Sequence, residues 1–257
     1  MNKPSITIIT INLNNLEGLK RTISSVKNQS FDKIEYIVID GNSSDGSANY
    51  IKYHSNLITK YLIEEDNGVY DAMNKGLRIS TGGWVGFLNS GDEYDKDVIK
   101  ELVEATQTNN FDITFGTVLV KNKQNNTLFY RKPILRNLKH LKSLPAAHMS
   151  IFTRRNILEK FSGFDQDYSI SADFDLVSKI LRSTSKIYIF KNNVGTFFLG
   201  GISSSFLTII EDFKIHRKNG IPVSLRILIL IHKTIIYILN LIVPSKFKYN
   251  LKHIFTK

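Results

Sequence analysis

Strand-like and helix-like stretches alternate through residues 6–92, and this order restricts the fold more than any other feature of the chain. Residues 6–13 are a β-branched run, followed by Leu16, Leu19, Ile23 and Val26 at helical spacing. Residues 34–40 resume the strand character and end in the turn-rich Gly41-Asn42-Ser43-Ser44-Asp45-Gly46. A short helix, a strand near 57–63, a helix near 70–79 and a strand at 84–88 continue the series. Such alternation predicts an α/β fold with a central, mostly parallel sheet flanked by helices on both faces. Open sheets of this kind bind ligands beyond the carboxyl ends of their strands. The polar clusters fall there: residues 12–15, 40–45, Asp66-Asn67 and 89–92.

The middle of the chain is less regular. Residues 112–120 and 127–132 read as a hairpin around a polar loop, and residues 172–181 as a helix with Leu176, Ile180 and Leu181 on one face. No internal repeat and no long linker separates independent units. The division expected is a catalytic-sized α/β unit over 1–206 and a helical extension over 207–257.

Charge is uneven along the chain. The formal net charge is +11, from 34 basic and 23 acidic residues. Nine of the basic residues and none of the acidic ones lie in 213–257, which leaves 25 basic against 23 acidic residues in the near-neutral body. Within that tail, residues 223–243 are the most apolar stretch, interrupted by Arg226, His232 and Lys233. Its length approaches a bilayer span, but charges near its centre are costly in hydrocarbon. An amphipathic helix lying on an anionic membrane surface is the expected reading, and a helix packed on the core the other. The pI near 9.6 invites a nucleic-acid reading. However, the basic excess sits on an apolar tail without interleaved aromatics, so no nucleic-acid partner is expected. Absence of cysteine excludes disulfides and thiolate metal sites. The apolar run 6–11 is too short for a secretory signal, so the expected place is the cytoplasm, peripheral on the inner face of the membrane.

Several residues carry possible chemistry. Asp40 ends a strand before a Gly/Asn/Ser turn, where a carboxylate can accept from ribose or base groups, or can close an Asx turn on its own loop. Asp92 in Asn89-Ser90-Gly91-Asp92 follows a buried strand, and a carboxylate there can hold Mg²⁺ or Mn²⁺ shared with diphosphate oxygens; it is also an ordinary turn sequence. Asp173 and Asp175 open a helix, which the dipole favours whatever the function. The functional reading makes Asp173 a general base, with Asp175 on a different side of the helix. His148 is read as orienting an acceptor or phosphate, or as satisfying loop backbone. Gly200-Gly201, within residues 195–205, reads as a flap over a diphosphate or as a bare turn.

Taken in order, these segments resemble glycosyltransferase family 2, whose members have the GT-A fold. The resemblance rests on residues 6–14, Ile-Thr-Ile-Ile-Thr-Ile-Asn-Leu-Asn, and on 36–47, Tyr-Ile-Val-Ile-Asp-Gly-Asn-Ser-Ser-Asp-Gly-Ser. It continues through 66–76, 81–92, 148–155, 163–165 and 172–176, and covers roughly residues 4–205. It implies an inverting sugar transfer from a nucleoside-diphosphate sugar to a saccharide acceptor, lipid-linked in bacterial exopolysaccharide, capsule or O-antigen synthesis. The donor contacts implied are Thr10, Asn12, Asn14, Asp40, Asp71, Asn89 and Asp92, with Asp92 on the metal and Asp173 as base. His148, Gly200 and Gly201 are assigned to the acceptor or diphosphate.

The chain departs from the family pattern in two places. Asn89 and Gly91 stand where the common Asp-x-Asp-Asp has acidic residues, and Ala172 precedes Asp173 where an acidic residue is frequent. The thinned acidic motif keeps a non-catalytic sugar-nucleotide binder as an alternative. A sugar-nucleotide nucleotidyltransferase is the other, but it would place a Gly-rich loop after the first strand, where this chain has Asn12-Leu13-Asn14-Asn15.

Overall fold

The computed structural model describes residues 6–121, 128–199 and 205–242. In chain order the elements are β1 (Ile6–Asn12), α1 (Leu16–Lys27), β2 (Ile34–Asp40), α2 (Ser47–Tyr53), β3 (Lys60–Ile63), α3 (Val69–Ile79), β4 (Trp84–Phe87), β5 (Glu93–Tyr94) and α4 (Val98–Thr108). They continue as β6 (Ile113–Lys121), β7 (Leu128–Arg131), β8 (Phe152–Arg154), α5 (Arg155–Lys160), α6 (Ala172–Ser183), β9 (Ile187–Phe198), α7 (Phe206–Lys218) and α8 (Val223–Ile242).

One curled sheet runs β3-β2-β1-β4-β8-β6-β9-β5, with β7 paired to β6. The first four positions are parallel, as the alternation of strand and helix requires. Beyond β4 the sheet is mixed. β8 lies antiparallel between β4 and β6, because it is reached through the β6–β7 hairpin and a loop instead of a crossover helix. The expected hairpin is present, whereas β9 pairs parallel to β6 over a stretch in which no strand was expected.

Both faces of the sheet are buried, and β1 divides them. Ile6 and Ile8 face a core shared with Leu19, Ile23 and Val26 of α1, while Ile9 and Ile11 face one shared with Met73 of α3 and Phe174 of α6. Period-two alternation therefore places apolar groups on both sides, as a sheet covered by two helical layers needs. Gly76 lets α3 lie directly on β1: a Cβ there would meet Ile9 Cγ2 at 2.5 Å. Burying each such isoleucine stabilises the fold by about 2 kcal/mol.

The amino ends of the strands are fastened by Glu35. Its carboxylate accepts from Thr7 Oγ1 (2.5 Å), Lys60 Nζ (2.8 Å), Thr81 N (2.7 Å) and Gly82 N (3.2 Å). Burial alone would raise its proton affinity, but these donors outweigh it and hold the pKa at about 2. The opposite ends, where Asn12 and Asp40 are register partners, are left to loops.

The C-terminal segment packs against this body. α7 contributes Ile215 to the core and buries Glu211, Asp212 and His216. α8 lies on α7 through Ile229, with Lys233 paired to Asp212 and Arg226 over the Phe213 ring at 5.5 Å. Of the residues that interrupt the apolar stretch, Arg226 and Lys233 thus turn toward α7, whereas His232 is exposed. Val223, Ile227, Leu228, Ile231, Ile235 and Ile238 form an exposed apolar stripe on the outer side. No helix among the described residues is long and apolar enough to cross a membrane.

Candidate active site

The loops beyond β1 and β2 are locked together by one small network. Asn12 Nδ2 donates to Asp40 Oδ2 (2.7 Å), Ser43 N to Asp40 Oδ1 (2.8 Å) and Ser43 Oγ to Asp40 Oδ2 (2.9 Å). Asp40 is fully buried, so its carboxylate closes the Asx turn and does not project into the crevice. What the network exposes is its outer shell. Asn14 is exposed at φ 48°, accepts from Ser44 N (2.9 Å) and donates its own N–H to Ser43 Oγ (2.8 Å). The Asn12 Oδ1 acceptor, at the strand end, is buried with no hydrogen-bond partner among the described residues. Thr10 belongs to the core and not to the crevice: it is fully buried and its hydroxyl accepts from Tyr36 at 3.0 Å.

Beyond β4 the turn 89–92 is built on Thr22 of α1. The Thr22 hydroxyl donates to the Asp92 carbonyl (2.7 Å) and accepts from Gly91 N (2.9 Å), and Gly91 takes φ 109°, which favours glycine. Asn15 Nδ2 ties the same turn to α1 by donating to Ser90 O (2.9 Å), while Asn89 stays half-buried. Asp92 is 7% exposed and its Oδ1 accepts from Phe198 N at 3.0 Å. Burial pushes its pKa up to about 7, against the pull of that hydrogen bond. Among the described residues no group of three or more His, Cys, Asp or Glu side chains gathers around a metal position. The Asp92 carboxylate, an oxygen ligand buried at the strand end, is the residue here that would hold a divalent cation.

The third group surrounds Asp173, in the first turn of α6. Its Oδ1 accepts from Phe174 N (2.8 Å) and from the Tyr70 hydroxyl (3.1 Å), and its Oδ2 faces His148 Nδ1 at 3.6 Å. His148 lies in an aromatic box, 5.5 Å from the Phe87 ring and 5.8 Å from Phe164, on which Tyr70 also stacks. Burial raises the Asp173 pKa, with His148 opposing, and burial lowers that of His148, with Asp173 opposing. The arrangement is a carboxylate with one oxygen anchored and a heightened appetite for a proton, which is what a general base requires. Asp175 is fully buried and paired with Lys179 (2.5 Å), a structural partner of the helix face. Asp71 accepts from Asn67 N (3.0 Å) and lies 3.4 Å from Lys75 Nζ; the Asn67 hydrogen bond leads in lowering its pKa. It braces the turn 66–68 and does not offer a free carboxylate.

Gly200 and Gly201 lie outside the described residues. Three neighbours of Asp173 escaped sequence reasoning. Tyr70 sits inside the quoted motif 66–76 and was legible as a candidate from that motif alone. Arg131 of β7 donates to the carbonyls of Leu144 (3.4 Å) and Ala146 (3.3 Å), shaping the loop before His148, and is within the field of Asp173. Glu211 of α7 accepts from the backbone just before α6. The last two carry no local signal.

A profile of Glycosyl transferase family 2 matches residues 7–176, the segment that builds all three groups. The chain belongs to that family. Among its relatives in it, an uncharacterized glycosyltransferase of Mycobacterium tuberculosis is 31% identical over 187 residues, covering 68% of each chain. A Mycobacterium bovis glycosyltransferase of PGL/p-HBAD biosynthesis is 25% identical over 234 residues, 88% of each chain. Likeness to solved structures extends the fold assignment to nearly the whole chain. Staphylococcus aureus TarS 1-349 in complex with UDP-GlcNAc superposes with a TM-score of 0.69 at 14% identity, covering 95% of this chain and 77% of that one. Of a longer TarS chain, only 42% is spanned. The mannosyltransferase PcManGT of Pyrobaculum calidifontis, in complex with GDP-Man and Mn²⁺, gives 0.63 at 14%, covering 98% and 80%. The GT-A fold expected of this glycosyltransferase family 2 chain is therefore present, with its curled sheet and flanking helices.

Proposed function

We propose that this glycosyltransferase moves a sugar, with inversion, from a nucleoside-diphosphate sugar to a hydroxyl of a lipid-linked saccharide in the synthesis of a bacterial surface polysaccharide. The observation that carries the reading is Asp173: half-buried with its side chain 18% exposed, raised in proton affinity, and held through Oδ1 by the α6 backbone and the Tyr70 hydroxyl. The acceptor hydroxyl gives its proton to the Asp173 carboxylate as its oxygen attacks C1 from the face opposite the phosphate. The C1–O bond to the diphosphate breaks, and its electron pair leaves with the nucleoside diphosphate. The loops carrying Asn12, Asn14 and Asn89 hold the donor, and Asp40 and Asp71 keep those loops in shape.

Asp92 is the residue that would hold a divalent cation, which supplies Lewis-acid stabilisation of the departing phosphate charge. His148 and Arg131 orient the acceptor side. Relatives named for PGL/p-HBAD and teichuronic acid biosynthesis support a surface-glycan role. The outward stripe of α8 supports peripheral attachment to the cytoplasmic face of the membrane. The four lysines Lys246, Lys248, Lys252 and Lys257, outside the described residues, add attraction to anionic lipid.

The test is release of nucleoside diphosphate from UDP-, GDP- and dTDP-sugars, with binding measured in parallel by calorimetry. Asp173→Asn is expected to lower release on the order of 1,000-fold, to a residual rate that can still be read, while donor binding persists. Binding with no turnover by the unaltered chain under any condition would instead identify a sugar-nucleotide binder.

A further inference from the structure

We infer that Glu211 is a positioning residue for Asp173, holding the backbone that delivers the base from a helix outside the family's matched segment. The inference rests on the reading of Asp173 as the base. Glu211 stands on α7 and is 4% exposed. Its Oε1 accepts from Ser169 N at 2.8 Å, and its Oε2 from Ile170 N at 3.0 Å and Ser171 N at 2.8 Å. Three consecutive N–H groups thus converge on one carboxylate, immediately before the first turn of α6.

A carboxylate is an acceptor with about four lone-pair positions, and no other side chain could take three such donors without presenting a donor of its own. The same stretch is held from the far side. The Ile170 carbonyl accepts from the Tyr70 hydroxyl at 2.5 Å, and that hydroxyl also reaches Asp173 Oδ1. The peptide unit joining Ile170 to Ser171 is therefore held at its N–H, Ser171 N, by Glu211 and at its C=O, Ile170 O, by the Tyr70 hydroxyl that also faces the base. Any rotation of this peptide would carry Asp173, three residues on, away from its partners. Burial first, then the charge of Asp173 and to a lesser degree that of Glu211, keep the Tyr70 phenol protonated, and hence a donor.

α7 is in turn a fixed support. Ile215 is fully buried in the core, and Asp212, next to Glu211, is paired with Lys233 of α8. The position of the base is thereby set by the C-terminal helices and not by α6 alone.

The experiment uses the full chain and four variants: Glu211→Gln, Glu211→Asp, Asp173→Asn and the double variant Glu211→Gln/Asp173→Asn. For each, kcat is read from nucleoside diphosphate release with the three donor sugars, the affinity for the free nucleotide from calorimetry, and the fold from circular dichroism. Displacing a reacting group by about 1 Å costs on the order of 100-fold in rate. Glu211→Gln is therefore expected to lower kcat about 100-fold with nucleotide affinity unchanged. Glu211→Asp, which keeps the charge and shortens the reach, should fall between, and it carries the test if the glutamine variant does not fold. In the Asp173→Asn background, Glu211→Gln should cost nothing further.

A kcat within about twofold of the unaltered chain overturns the inference, as does a parallel loss of nucleotide affinity, or an equal loss in both backgrounds. Full activity of Asp173→Asn would instead remove the base reading itself, and absence of any release by the unaltered chain would remove the function beneath both.

Discussion

The Tyr70 hydroxyl lies 3.1 Å from Asp173 Oδ1 and 2.5 Å from the Ile170 carbonyl, across a sequence separation of 103 residues from the aspartate. It couples α3, which opens beside the donor loops, to α6, which carries the candidate base. Replacing Tyr70 with Phe removes the single hydroxyl hydrogen that these two acceptors share and keeps the ring that stacks on Phe164. Loss of roughly 1–1.5 kcal/mol is expected to lower kcat about 10-fold. Unchanged kcat, with nucleotide binding intact, would place Tyr70 outside the chemistry.

Burial raises the Asp173 pKa, so its deprotonated, active form is lost as pH falls through a value above the ordinary carboxylate range. The rate is expected to climb with pH along an acid limb governed by this group. His148 opposes the rise, so His148→Gln should move that limb to higher pH. A limb left in place would show that the imidazole does not act on the base.

Asp92 has no cationic side chain within ion-pair distance among the described residues, and its pKa is pushed up to about 7 by burial. If it holds a divalent cation with the donor diphosphate, Mn²⁺ should tighten donor binding in the unaltered chain and not in Asp92→Asn. Calorimetry with Mn²⁺ and with EDTA reads the difference directly. Equal binding in the two buffers sinks the metal role.

Glu35 offers a stability test remote from the crevice. Its folded pKa is depressed from 4.5 to about 2, so it contributes stability that is present above pH 4.5 and is lost as pH falls toward 2. Glu35→Gln is expected to cost about 3 kcal/mol at pH 7 and much less near pH 2. Denaturant melts at the two pH values check this. A pH-independent cost would point to packing in place of charge.

The stripe on α8 is testable without knowing any substrate. Leu228 and Ile231 are 62% and 51% exposed, so Leu228→Glu/Ile231→Glu should leave the thermal midpoint unchanged. Flotation with vesicles containing anionic phospholipid should nevertheless drop sharply. Equal flotation of the two proteins would remove the stripe from membrane contact.

Much of this was legible in the sequence because hydrophobic periodicity is a local property. Residues 6–11 and 36–39 alternate apolar groups toward two cores, which fixes them as central strands, and the polar runs after them fall at the carboxyl ends where an α/β sheet takes its ligands. The motifs also located Asp92 and Asp173. The direction in which a carboxylate points is another matter. Asp40 turned inward because Asn12 and two groups of Ser43 could reach it, and Thr10 became core because Tyr36 lay on the neighbouring strand. Likewise β8 and β9 owe their places to strand pairing over long separations, which no local period encodes. Only the tertiary fold brings Tyr70 and His148 to Asp173, Arg131 to the loop before His148 and Glu211 to the backbone before α6. The sequence determined which segments would be strands, helices and ligand loops, since burial pattern and turn chemistry act over a few residues. Tertiary structure decided which carboxylate is braced, which is buried and which is held beside a tyrosine and a histidine, because those outcomes depend on donors supplied from distant parts of the chain.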